Sequence, residues 1–216
     1  MITEKIVIDK LQRNFTRAVR ISDNNYIIKG FDSTYKNQIL YNVNFSTGGV
    51  ISKTNLLDRK NDAGLSIDGS LLYDSATHCV IYVHSYCNKI LYMDTTLNLL
   101  HIAKTIDTFS AYQLSGKEIT INKHKSFFTQ SKPPRFVNNK SCLYDGKLYV
   151  NSAIRADNET EEAYNKNSLI DIYTLGNNQY VGSFYIPKYK KEKLLDFFFS
   201  NNFIVATYPD RVIIYK

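Results

Sequence analysis

Short apolar runs with period-two alternation, cut by Asn, Asp and Gly, recur along most of the chain. Side chains alternate faces along a strand, so this pattern predicts half-buried β-strands. No stretch carries the helical period over three turns, and the polar segment 158–166 reads as loop with one helical turn. The predicted strands fall into sets. The first covers 16–21, 25–29, 38–43 and 50–52; the second covers 70–73, 79–83, 89–93 and 99–103. The third covers 141–144, 147–150, 169–173 and 180–185, and the fourth has 194–199, 203–206 and 211–215.

Four strands joined by short turns make one propeller blade. Asn24-Asn25, Asp145-Gly146 and Asn201-Asn202 supply turn chemistry between first and second strands. The motif Asn-x-Ile-Leu-Tyr occurs at Asn37 and again at Asn88, 51 residues on. Each copy opens the third strand of a set, and a spacing of about 40–50 residues is the mark of a propeller. The expected fold is therefore an all-β propeller of about four blades, or a fragment of a six-bladed one, spanning 1–216 as one domain. Residues 4–9 form a further strand that would complete the three-stranded fourth blade and cover its edge. Two insertions, 109–134 and 155–167, interrupt the spacing, and Glu118-Ile119-Thr120-Ile121 in the first reads as strand.

Composition sharpens this picture only in part. The chain has 17 Tyr and 12 Phe against no Trp and 2 Met, an aromatic bias suited to pleated surfaces. The formal charge is +7, which admits an acidic partner. No predicted strand face carries a sustained basic stripe, so the nucleic-acid signal is weak. No run reaches the roughly 18 apolar residues of a membrane-spanning helix, and Met1 to Lys5 lacks the apolar core of a signal peptide. As given the chain reads as soluble, and a hydrophobic leader upstream would make it extracytoplasmic or membrane-anchored. Cys79, Cys87 and Cys142 form no disulfide framework. Cys79 and Cys87 would lie roughly 26 Å apart in one extended run, beyond the roughly 7 Å a disulfide tolerates.

Several constellations resemble chemistry and fail on detail. His78, His84, His101 and His124 have no ligand spacing, so no metal and no cofactor are expected. The run 58–64 has Lys where a calcium loop needs its second acidic ligand. Ser66-Ile67-Asp68-Gly69 approaches a sialidase Asp-box, but its Gly comes early and the chain has no Trp. His84 and Cys87 would point to opposite faces of an extended strand, which separates a thiol–imidazole pair.

The segments 68–74, 81–88, 104–108, 148–152, 170–173 and 182–187 carry a family resemblance. Through them the stretch 15–216 resembles the C-terminal part of an uncharacterised bacterial β-propeller family, related to the TolB-like six-bladed group. The resemblance implies a propeller fold and carries no established activity.

Function is expected on one face. In a propeller, the loops between second and third strands share a face with the links between blades. That face would gather Phe31 and Tyr35 from the first blade, His84 and Tyr86 from the second, Arg155 from the third, and Tyr208 and Arg211 from the fourth. Both insertions fall there, and long loops on a rigid scaffold are where binding concentrates. The expected function is a non-enzymatic binding or scaffold module for a protein, peptide or glycan. The alternatives are a glycan-directed hydrolase or lyase drawing on Asp107, Asp157, Asp210 and His84, and a weak polyanion binder.

Overall fold

The structure is a computed structural model that describes residues 14–58, 60–114, 116–122, 125–130, 132–190 and 192–216, without the side chains of Lys125 and Ser126. Blade 1 is the meander β1 (Phe15–Arg20), β2 (Asn25–Phe31), β3 (Gln38–Asn44) and β4 (Val50–Thr54). Blade 2 is β5 (Gly69–Asp74), β6 (Cys79–His84), β7 (Lys89–Met93) and β8 (Leu99–Lys104). A two-stranded hairpin, β9 (Gly116–Asn122) and β10 (Lys125–Gln130), follows in the first insertion. Blade 3 is β11 (Asn138–Tyr144), β12 (Lys147–Ser152), β13 (Asn167–Thr174) and β14 (Tyr180–Pro187), with helix α1 (Glu161–Lys166) between β12 and β13. Blade 4 is β15 (Asp196–Ser200), β16 (Phe203–Tyr208) and β17 (Arg211–Tyr215).

All pairings are antiparallel between consecutive strands, and the first strands are neighbours in chain order: β1 beside β5, β5 beside β11, β11 beside β15. Four antiparallel blades standing in ring order are a four-bladed β-propeller. The turns explain why the strands fold back. Asp145 and Gly146 both take positive φ (47° and 67°), as do Asn201 and Asn202 (48° and 64°). These are the residue types that tolerate the left-handed region a two-residue hairpin requires. Asn25 proves to be the first residue of β2 rather than part of the turn.

Alternation then builds the core between blades. On β6, Val80 and Tyr82 face blade 1, packing with Ile27, Leu40 and Leu71. Ile81 and Val83 face blade 3, packing with Leu148, Val150 and Tyr173. Every residue of β6 is therefore buried, as a strand covered on both faces must be. A third cluster joins Tyr149, Ile170 and Ile186 of blade 3 to Phe197, Ala206 and Tyr208 of blade 4. Burying each such side chain contributes about 1.5–3 kcal/mol.

Polar contacts fix the register of blade on blade. Lys29 is 1% exposed and its Nζ lies 3.0 Å from Asp68, which also takes Arg17 at 2.8 Å. Burial pushes the Lys29 ammonium down, against the pull of Asp68. A buried cation without its partner would cost about 3–5 kcal/mol, so the contact fixes blade 1 against the start of β5. Between blades 2 and 3, Tyr92 donates to Asn178 Oδ1 at 2.8 Å and Tyr173 accepts from the Ile106 amide at 3.1 Å.

Residues 4–9, expected to close blade 4, lie outside the described residues. In blade 4, Phe198, Val212 and Ile214 are 49%, 59% and 65% exposed.

Candidate functional site

The loops between second and third strands and the links between blades do gather on one face, because the meander alternates ends at each turn. Both copies of the repeated Asn belong to this end and are buried. Asn37 donates to Asp32 and Asn61 and accepts from the Asn61 amide at 3.0 Å. Asn88 donates to the Asp107 carbonyl at 2.8 Å. Each amide side chain ties the loop before its third strand to the link leaving its blade. The motif is a staple, and it holds the face together without offering itself to a ligand.

The expected site residues lie on that face in separate groups. Phe31 and Tyr35 stack at 5.8 Å on blade 1, Tyr35 at positive φ and 59% exposed. Tyr86 is buried and its ring lies 4.9 Å from Phe136. Tyr208 is buried, with its hydroxyl donating to the Pro187 carbonyl at 2.5 Å. Arg211 covers the Tyr189 ring at 3.9 Å and pairs with Asp210 at 2.7 Å. Arg155 is exposed and lines a large hollow.

His84 sits inside the molecule, fully buried, edge-on to Tyr82 at 5.0 Å and to Tyr112 at 5.5 Å. Neither ring nitrogen has a hydrogen-bond partner among the described residues. Burial, with the Lys89 ammonium nearby, pushes its imidazole down to about 3, so it is neutral at ordinary pH. The extended run expected through Cys87 does not exist: β6 ends at His84, and residues 85–88 bend under Asn138, which donates to the carbonyls of His84 and Cys87. The Cys87 thiol is buried and pushed up by that burial, opposite to the shift a nucleophile needs. Tyr112 donates to Asp58 Oδ2 at 2.9 Å, and Lys89 lies 3.6 Å from the same oxygen, so the polar groups around His84 are already matched to one another.

The carboxylates named for hydrolysis are dispersed over different blades and partly engaged. Asp107 accepts from the Phe109 amide at 2.9 Å and from Thr105. Asp210 is held by Arg211 below the usual carboxylate range. Among the described residues no three His, Cys, Asp or Glu side chains come together as metal ligands.

A hollow of about 870 Å³ opens on the loop-rich face of blade 3. One wall is the end of β12 and the loop to α1, another is the link from blade 2 ending at Pro134–Asn139, and the third is the link to blade 4. The loop wall is rigid for identifiable reasons. Thr160 caps α1 by accepting from the Ala163 amide at 3.2 Å. Tyr164 donates to the Ala153 carbonyl at 2.7 Å, and Lys188 donates to the Tyr164 carbonyl at 2.9 Å while covering its ring. A second hollow of about 530 Å³ lies beneath the links, with Lys60, Asp62, Ser66 and Tyr112 in its lining.

Sequence reasoning set Arg155 and the link 188–193 on this face but did not name Lys140, which lines the hollow with Arg155 and Lys193. Lys140 reaches the hollow through a bulge: Asn138 pairs with Ser152 and Ser141 with Val150, so Asn139 and Lys140 together face Asn151. Bulges re-aim side chains in this way, and nothing in the strand's composition announces one.

No family model matches the chain, and no curated protein matches it. Among solved structures, it is similar to the β-propeller domain of Cps50 (Swd1) from Myceliophteria thermophila, at 11% identity over 94% of this chain and 69% of that one, with a TM-score of 0.40. It is also similar to a protein of unknown function from Bacteroides caccae, at 12% identity over 81% of this chain and 68% of that one, with a TM-score of 0.32. Likenesses this distant leave the fold assignment resting on the strand topology, which gives a four-bladed β-propeller.

Proposed function

We propose that this propeller is a non-catalytic binding module that receives a protein segment, a peptide or a glycan in the hollow on the loop-rich face of blade 3. The observation that carries this reading is the hollow itself, about 870 Å³ walled by three separate loop segments. Binding sites are concave, largely preformed and placed on loops held by a rigid scaffold. The tyrosine, lysine and cap contacts around α1 supply that preformation. Kinship with the TolB-like propellers, carried by the segments noted above, belongs to the same reading.

A peptide array and a glycan array, probed with the protein and two variants, test it. Asn165→Trp fills the hollow from an exposed lining position. Gln179→Trp places the same bulk on an exposed turn at the opposite end of blade 3. Hits lost with Asn165→Trp and kept with Gln179→Trp support the site. Hits lost equally in both, or only with Gln179→Trp, place binding elsewhere and overturn it.

A further inference from the structure

The cations of the hollow outnumber its carboxylates. Arg135, Lys140, Arg155, Lys188 and Lys193 all line it, against the single carboxylate of Glu161. None of the five takes part in any ion pair among the described residues. What sets them apart is their convergence on one hollow, since exposed lysines such as Lys53 and Lys104 also stand outside the ion pairs among the described residues. At Lys188 the crowding is felt directly. Burial lowers its ammonium, Lys193 lowers it further, and Glu159 opposes both. Five cations against one lining carboxylate favour an anion between them.

The rest of the lining narrows the class of anion. Phe136 and Leu195 are 43% and 49% exposed at the rim, so apolar contacts are on offer beside the charges. Asn165 and Asn167 each bring an amide that can both donate and accept, which suits a peptide backbone. Of the aromatic rings in the described lining, Tyr164 is covered by Lys188 and Phe136 leans on Tyr86, which leaves part of the Phe136 ring open. Base stacking is the main sequence-tolerant contact to single strands, and the cations here sit in a hollow rather than along a stripe.

We infer that the hollow takes an acidic peptide segment, with carboxylates at Lys140, Arg155 and Lys193 and an apolar side chain against Phe136 and Leu195. This rests on the reading of the hollow as the binding site.

The test is fluorescence anisotropy with a labelled peptide of about twelve residues mixing Glu and Leu, beside its Lys–Leu counterpart, a heparin hexasaccharide and a single-stranded oligonucleotide, at about 50 and 200 mM salt. The acidic peptide is expected to bind, and the Lys–Leu peptide not to. Lys140→Glu with Lys193→Glu should weaken binding about tenfold or more. Lys53→Glu with Lys104→Glu, on exposed positions of β4 and β8, makes the same change in net charge. It should weaken binding less than about twofold. Equal loss in both pairs would mean general attraction to a chain of charge +7 and would overturn the inference. Tighter binding of heparin or the oligonucleotide, lost only with the first pair, would overturn it in favour of those polyanions. If array hits blocked by Asn165→Trp are neutral or basic, the acidic class falls and the site stands. If nothing binds in the hollow, both fall.

Discussion

At the scale of single residues, chemistry that looks catalytic in the sequence is absorbed into packing. His84 is the clearest case, because an imidazole beside a cysteine invites a mechanism, yet its ring is sealed between Tyr82 and Tyr112. A neutral, buried histidine has a measurable consequence. Its folded-state value of about 3 lies below the ordinary 6.5, so the unfolded chain binds the proton first as pH falls. The stability tied to neutral His84 is therefore present above pH 6.5 and is lost as pH drops toward 3. At about 1.4 kcal/mol per pH unit, the loss between pH 6.5 and 4 comes to about 3 kcal/mol. His84→Phe keeps a ring in the same space without the proton, and its stability should fall by that much less between pH 7 and 4. Urea unfolding at the two values checks this; parallel losses in both proteins would show that His84 does not control the acid limb. The burial of His84 was not legible from its neighbours in sequence. Period two places it on the blade face that Tyr82 shares, but the residue that seals it, Tyr112, comes from an insertion 28 residues further along.

At the scale of elements, the blade strands were legible in number and order because they carry two kinds of signal at once, although β11 starts at Asn138 rather than at the expected Ser141. β12 runs apolar from Leu148 to Val150 after the Asp145-Gly146 turn; β6 is apolar up to His84, and Asn88 and Gly69 bound its neighbours. Hairpin β9–β10 was half legible. Glu118-Ile119-Thr120-Ile121 alternates, whereas Phe127 and Phe128 are adjacent and break the period in the partner strand. Gly69 shows what the pattern could not reveal. A Cβ there would lie 2.3 Å from the Val83 carbonyl and 3.0 Å from the Tyr82 ring, because β5 crosses closely over β6 at its first residue. Gly69→Ala should destabilise the protein by about 1–3 kcal/mol, as overpacked sites do. It should lower the denaturant midpoint and leave the slope unchanged. A midpoint within error of the parent would mean that β5 shifts freely against β6.

For the whole molecule, the sequence placed the loop-rich face, and the structure locates a hollow on it. The face followed from meander topology, since alternate turns must share an end. The hollow did not, because its walls come from a loop and two links far apart in the chain, and its cations from a bulge, the second insertion and those links. Of the seven residues first expected to bind, Arg155 lines the hollow, His84 is buried inside, and the others stand around the face, several of them engaged in holding loops. The central claim is that one end of the propeller binds and the other does not. Hydrogen exchange with and without an array-selected ligand tests it most directly. Protection is predicted at 152–168 and 187–195, the walls of the hollow, with no change at the turns 144–147 and 200–203 of the opposite end. Protection confined to those turns, with the walls exchanging as in the free protein, would contradict it.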